Sequence, residues 1–316
     1  MSAMPLSDEL DALRTKAGLV DRSDRGAVLV TGPDAWSYLQ NLVSADLDVV
    51  DAGEGVHSLL LTPQGKLDVD FRLLRVGDEV WLDCDPGFGE QLTASLNRFR
   101  IRVECELTDR SGNWGSLAVR GPHAIDAVAA LGVELPAAPH AHVAFENAVV
   151  VRAPWPGGDG FDVAGPPATV TTAADRLTAA GVTPCSADAY EALRIEAGVP
   201  RQGFDLDEKT IPQEAFLERD AVSFTKGCFL GQELVCRIDT RGHVNKYLRR
   251  LTGIADEPPR GAEIVAGEKV VGTVTSSTPT VALGYVRHEV EPPADVELRW
   301  DGHTAHAVVE PLSVRS

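Results

Sequence analysis

The chain has 316 residues, 44% apolar and 24% charged, enough to bury a sizeable core divided over two or three domains. Its formal net charge of -18 favours solubility and argues against nucleic acid or an anionic membrane as a general partner. The first ten residues hold no basic segment followed by an apolar run, and no run of about eighteen apolar residues occurs. A soluble cytoplasmic protein is therefore expected.

A first helix is expected over the opening twenty residues, with Ser7 as cap, Asp8 and Glu9 in the first turn, Leu10 and Leu13 on one face and Gly18 as stop. Residues 28–30 read as a short strand that turns through Thr31-Gly32-Pro33-Asp34 into a helix carrying Trp36, Leu39, Gln40 and Val43. Residues 56–61 and 68–76 read as paired strands about Pro63-Gln64-Gly65, followed by a strand at 80–82 and a helix over 88–98. This mixed order speaks against a doubly wound parallel sheet. A similar set follows: a strand at 117–120, a helix over 122–131, strands near Val149 and Phe161, and a helix over 168–180. The fold class expected is α+β, built from two related units.

Beyond Arg249 the pattern changes. Gly253, Gly261, Gly267 and Gly272 punctuate short alternating runs at 262–265, 270–274, 281–286, 296–300 and 305–309, the spacing of a small all-β sandwich or barrel. The boundary is placed near Tyr247, giving domains of residues 1–246 and 247–316.

Five cysteines, Cys84, Cys105, Cys185, Cys228 and Cys236, form an odd set without CxxC spacing, so neither a disulfide framework nor a metal site is expected. Four read as packing residues, Cys236 lying in an apolar-alternating stretch. Cys228 differs because it lies in Lys226-Gly227-Cys228-Phe229-Leu230-Gly231-Gln232-Glu233, where two glycines four apart disfavour regular structure. The octapeptide reads as a shaped loop presenting a thiol, with Lys226 near enough to favour the thiolate. Between Ala221 and Arg250 six cations, Arg237 and Arg241 among them, face two acids. That patch is either a solvated basic face or a receiver for an anionic small molecule or acidic partner.

Residues 187–197 read as a helix with Tyr190, Leu193 and Ala197 on one face and Gly198 as its stop. Glu196 falls in its last turn, where a carboxylate opposes the macrodipole by a few tenths of a kcal/mol, roughly. Such a residue is either an exposed helical glutamate or one placed to receive two donors, such as the N2-H and N3-H edge of a pterin.

The run 190–198, the stretch Asp205-Leu206-Asp207-Glu208-Lys209-Thr210-Ile211-Pro212-Gln213-Glu214-Ala215, and the early Thr31-Gly32-Pro33-Asp34-Ala35 with Tyr38-Leu39-Gln40-Asn41 resemble the folate-binding core of the glycine-cleavage T-protein superfamily. The octapeptide resembles the hallmark of its YgfZ-type branch, folate-binding proteins of iron–sulfur cluster maintenance. The resemblance covers about residues 10 to 290. It implies two ferredoxin-like α+β subdomains followed by a small β-barrel, with tetrahydrofolate or a one-carbon-substituted folate as cofactor. Glu196 matches the superfamily's pterin-reading glutamate. Arg194 and Arg201 are nearby cations for the folate's glutamate tail, and Gln232, Glu233 and Arg237 flank the same loop.

One departure stands out at Gln64-Gly65-Lys66-Leu67-Asp68-Val69-Asp70. Aminomethyltransferases of the superfamily carry a Gly-Gly turn and two adjacent aspartates there, whereas this chain keeps Asp68 and has Val69 second. Asp70 lies on the same strand face as Asp68. Valine can neither stabilise charge nor move a proton.

Three functions follow as expectations. The first is a folate-binding protein that assists iron–sulfur client or assembly proteins through Cys228. The second is a folate-dependent aminomethyltransferase or demethylase using Asp68. The third is a folate-binding module without chemistry.

Overall fold

Apolar residues at two-residue spacing, broken by glycine and polar turns, give this chain its strands, and helices are laid across them. The computed structural model describes residues 4–312 apart from Gly157. The chain falls into two units: Met1–Leu61, Asp68–Tyr190 and Asp220–Leu230 in the first; Thr62–Leu67, Glu191–Arg219 and Gly231–Ser316 in the second.

The first unit opens with α1 (Leu6–Thr15), β1 (Gly18–Asp21), β2 (Gly26–Thr31) and α2 (Ala35–Gln40). Pro5, not Ser7, stands at the N-cap of α1, because its fixed φ of -60° already suits the helix entry; the Ser7 hydroxyl donates to Asp8 instead. Gly18 starts β1 and does not end the helix. Next come β3 (Gly55–Leu61), β4 (Leu67–Val76), β5 (Glu79–Cys84), α3 (Gly89–Asn97), β6 (Glu106–Asp109) and β7 (Gly115–Arg120). The helix expected over 122–131 divides into α4 (Ala124–Ala127) and a 3-10 turn at Val128–Leu131. Then follow β8 (His142–Phe145), β9 (Ala148–Arg152), β10 (Gly160–Gly165), α5 (Pro167–Ala179), β11 (Thr183–Cys185) and the start of α6 (Ala187–Ala197), which passes into the second unit at Glu191; α7 (Glu218–Ala221) re-enters the first unit at Asp220. The strands form two sheets in the orders β3-β4-β5-β2-β6 and β11-β1-β7-β10-β9-β8.

Both sheets bury one face under helices, the first around Val28, Leu39, Leu73 and Leu96, the second around Val119, Phe161 and Leu177. Their other faces meet at Leu74, Trp81, Val149, Val151 and Ala164, and Trp81 meets Trp114 edge-on at 4.8 Å. A row of charges runs through the same region. Arg25 pairs with Asp85 and Asp83, Arg72 with Asp83 and Asp162, and Arg120 with Asp162. Burial alone would raise the Asp162 carboxyl, but the Arg120 and Arg72 guanidiniums overcome it and hold the group well below the usual carboxylate range.

The second unit contains α8 (Gln232–Arg241) and β12 (Lys246–Thr252), β13 (Glu263–Ala266), β14 (Lys269–Ser277), β15 (Val281–Arg287), β16 (Ala294–Trp300) and β17 (His303–Glu310). The six strands close as a barrel in the order β12-β15-β14-β13-β16-β17. The five runs read from the sequence are its last five strands. The unit is larger than residues 247–316 because polar bonds tie residues 191–219 to β14: Arg194 Nη2 donates to Ser276 Oγ at 2.9 Å, and Thr275 and Ser276 donate to Asp205 at 2.5 and 2.7 Å. Helix α8 replaces the expected turn and alternating stretch, so Cys236 is a half-buried helical residue. Among the described residues no helix is long and apolar enough to cross a membrane.

The charge row generates a stability prediction. Asp162→Asn leaves Arg120 and Arg72 with an uncompensated share of buried charge and should cost about 3–5 kcal/mol by denaturant titration. A depressed carboxyl pKa stabilises above its unfolded value and loses that contribution as pH falls toward the folded one. The gap between wild type and variant should therefore narrow below about pH 4.

Candidate functional site

In the second unit, three of the stretches singled out in the sequence interlock. At the 62–66 turn, the amide of Gly65 donates to Thr62 O and the amide of Lys66 to Thr62 Oγ1. Gly65 has φ +71°, and a Cβ there would stand 2.7 Å from Leu234 Cβ and 2.8 Å from Gly231 O, so this close approach demands glycine. The amide of Leu67 donates to Thr210 O at 2.9 Å, and Gln213 Nε2 donates to Val235 O at 2.9 Å. The glycine turn, the 205–215 stretch and the start of α8 thus form one surface. Glu214 adds a buried carboxyl raised by burial against the opposing pull of Lys246, whose Nζ lies 3.9 Å away. Neither Glu214 nor Lys246 was singled out in the sequence, where no pattern pairs them.

Glu196 lies half-buried in the last turn of α6, which Gly198 ends with φ +75°. Arg194, on the same turn, is not on the surface. It is 2% exposed, and its Nη atoms donate to Val199 O at 3.1 Å, Asp205 Oδ2 at 2.6 Å, Ser276 Oγ and Glu191. With those donors held inside, Arg194 is an internal strut and not a receiver of a folate tail. Arg201 is half-buried, donates to Glu191 at 3.2 Å and lies over Phe204 at 4.5 Å. Burial would raise the Glu191 carboxyl, but the two arginines pull it below the usual range.

In the first unit, β4 carries the acidic motif. Asp68 accepts from Gln91 Nε2 at 2.7 Å, and Val69 is wholly buried in the core. Asp70 is not a bare solvent-facing acid. Its Oδ1 lies 2.5 Å from His57 Nε2, and His57 Nδ1 lies 3.2 Å from Asp220 Oδ1. Burial alone would lower the imidazole, yet the flanking carboxylates raise it to about 10, so His57 is a cation at neutral pH. Sequence offered only the alternation that places Asp68 and Asp70 on one face. Nothing local announced His57 or Asp220.

The loop before α8 also lies in the first unit up to Leu230. The Lys226 side chain is buried and its ammonium donates to Gln40 O at 2.7 Å, Gln40 Oε1 at 3.1 Å, Val43 O at 2.9 Å and Ala45 O at 2.7 Å. These acceptors include carbonyls left open by the end of α2. Desolvation lowers the Lys226 pKa to about 8 against the opposing pull of Asp46 and Asp48. The lysine so anchors the loop, and Cys228 two residues on is exposed. Cys84 and Cys105 are buried, with thiols pushed up by desolvation, and Cys185 is pushed up to about 11 by burial and then by Glu9. Gln232 and Glu233 occupy the first turn of α8, and Arg237 is exposed one turn on. Among the described residues no group of three or more His, Cys, Asp or Glu could hold a metal ion.

Comparison with known proteins gives the family and the fold. The family described as GCVT N-terminal domain matches residues 3–226, and the family described as CAF17, C-terminal beta-barrel domain, matches residues 246–311. An aminomethyltransferase of Rubrobacter xylanophilus is 30% identical over 313 residues, covering 92% of this chain and 82% of the relative. One of Synechocystis is 30% identical over 309 residues, covering 90% and 81%. Among solved structures, the glycine cleavage system aminomethyltransferase T of Bartonella henselae has the same fold, with a TM-score of 0.87 at 24% identity over 98% of this chain and 89% of that one.

Two measurements check the site. Lys226→Met removes the loop anchor and leaves buried carbonyls unsatisfied, at a cost of at least about 2 kcal/mol; labelling of Cys228 should continue in the folded fraction. For His57 the folded pKa is raised from 6.5 to about 10, so its contribution is full below pH 6.5 and fades as pH climbs toward 10. Wild type should therefore lose its advantage over His57→Gln across that window in denaturant titrations.

Proposed function

Because the chain belongs to the glycine-cleavage T-protein superfamily, in the YgfZ-type branch that ends in a CAF17-type barrel, we propose that it binds tetrahydrofolate and uses Cys228 in the assembly or repair of iron–sulfur clusters in client enzymes. The observation that carries this reading is the pairing of an exposed thiol with a loop anchored by a buried lysine. A thiol that only filled space would be buried, as Cys84 and Cys105 are.

The residues fit the folate. Glu196 is an acceptor-only carboxylate, half-buried at a helix end, and a pterin edge offers two parallel donors to such a group. Partial burial strengthens that contact relative to open water. Arg201 remains the cation for an anionic tail, now that Arg194 is accounted for inside. Bound tetrahydrofolate would accept a one-carbon unit, and a one-carbon-substituted folate would supply one. This chain's residues would read the pterin, hold the loop and present an exposed sulfur. One thiol does not hold a cluster, which normally takes several thiolates, so a client or assembly protein supplies the remaining ligands.

A second reading, aminomethyl transfer, is favoured by the names of the similar curated proteins and by Asp68 and Asp70 on β4. It needs a carboxylate ready to take a proton. Val69 is buried hydrocarbon, and Asp70 is already hydrogen-bonded to the His57 imidazolium. Those two facts weigh against it. Under this reading Asp68→Asn would abolish methylene-tetrahydrofolate formation from a methylamine donor.

Two experiments test the proposal. Glu196→Gln should weaken tetrahydrofolate binding by about 1–3 kcal/mol in calorimetry, the scale of one charged hydrogen-bonding contact; unchanged affinity would remove the pterin assignment. In cells lacking the protein, wild type should restore a folate-sensitive iron–sulfur enzyme and Cys228→Ala should not. Equal rescue by both would reduce Cys228 to a passive loop residue.

A further inference from the structure

A cluster in the second unit stands apart from every residue used above. Phe216 adopts φ +60°, a conformation rare for a bulky side chain and one that persists only where its surroundings impose it. Its ring stacks on Tyr247, with centroids 5.3 Å apart and planes 12° from parallel. Arg249 lies 4.8 Å from the Tyr247 centroid and 5.4 Å from that of Phe216, and Arg219 lies 4.7 Å from that of Phe216. Tyr247 and Arg249 are two apart on β12 and so share a face.

Two guanidiniums therefore rest on one aromatic pair. Contact with the ring faces restricts the guanidiniums and leaves their N–H groups as the part able to bond. Among the described residues the ion pair of Arg219 is a loose one, to Glu218 at 3.8 Å, and its side chain is about half exposed. Arg249 is half-buried, and among the described residues it has no carboxylate within ion-pair distance. Its Nε is buried without a hydrogen-bond acceptor. Desolvation lowers its pKa, Tyr247 opposes that, and Arg219 lowers it further, as expected for two cations facing each other. A desolvated cation without a counter-ion costs free energy that an anion would relieve. Planar guanidinium forks gathered at one aromatic pair can meet the oxygens of a carboxylate or phosphate.

We propose that Phe216, Tyr247, Arg219 and Arg249 form a binding site for a doubly charged oxyanion, a phosphate or a dicarboxylate, with Arg249 as the principal ligand. None of its four residues is among those proposed to hold folate or to flank Cys228.

The test is calorimetric titration of the full chain with inorganic phosphate and, separately, with glutarate. Wild type should bind at least one, and the tighter of the two identifies the source of the oxyanion. Arg249→Met should weaken that binding by at least about tenfold, the loss of one charge-assisted contact. Arg249→Lys, which keeps charge and loses the fork, should fall between them. Phe216→Asn suits the left-handed backbone, so it should fold, and it should weaken binding by freeing the guanidinium planes. Lys269→Gln, at an exposed cation on β14, should leave binding unchanged. The assignment is overturned if wild type binds neither anion up to roughly 50 mM. It is equally overturned if folded Arg249→Met binds like wild type, or if Lys269→Gln weakens binding as much as Arg249→Met does.

Discussion

The partly buried alternation of Asp85, Arg25, Asp83, Arg72, Asp162 and Arg120 is the constraint on which the first unit depends. Each interior charge is tolerable only while its partners hold position, because removing one leaves another desolvated and unpaired. Arg72 belongs to β4 and reaches Asp83 on β5 and Asp162 on β10. The row therefore fixes the strand that carries Asp68, Val69 and Asp70. It does so across the same interface that Trp81, Val149 and Val151 fill with hydrocarbon. Hydrophobic area supplies the driving force there, and charge pairing selects the register.

On that scaffold the carboxylates of the acidic motif are engaged by neighbouring side chains, while the thiol loop leaves Cys228 exposed. Val69 contributes to the core, and His57 holds Asp70 and Asp220 in a charge-neutralising cluster. Lys226 performs the complementary task on the loop. It satisfies carbonyls at the end of α2 and holds its segment against that helix, so the order of the loop comes from a buried ammonium and not from glycine content. A lysine read in sequence as a neighbour of the thiol is thereby an anchor in structure.

What sequence made legible was what is local. The barrel strands announced themselves by alternation between glycines, and α6 by helical spacing ended at Gly198. Glu196 was visible because a carboxylate in a last turn runs against the macrodipole. The misses are non-local. Strands β1, β6, β8 and β11 have three or four residues each and exist because neighbours pair with them. Helix α8 buries only Val235, and its ten residues are mostly polar, so few apolar positions mark it as a helix. Lys226 and Gln40 are 186 positions apart, and the inward turn of Arg194 depends on Asp205 and on Ser276 of the barrel. No window of sequence contains those partners.

What is proposed is that this chain retains the family's folate recognition while its chemistry has moved from a carboxylate pair to a cysteine. The most direct measurement incubates the purified protein with tetrahydrofolate and a methylamine donor, reading folate binding by calorimetry and methylene-tetrahydrofolate by chromatography. The account predicts saturable folate binding with no donor-dependent product. Catalytic formation of methylene-tetrahydrofolate that Asp68→Asn abolishes would contradict it.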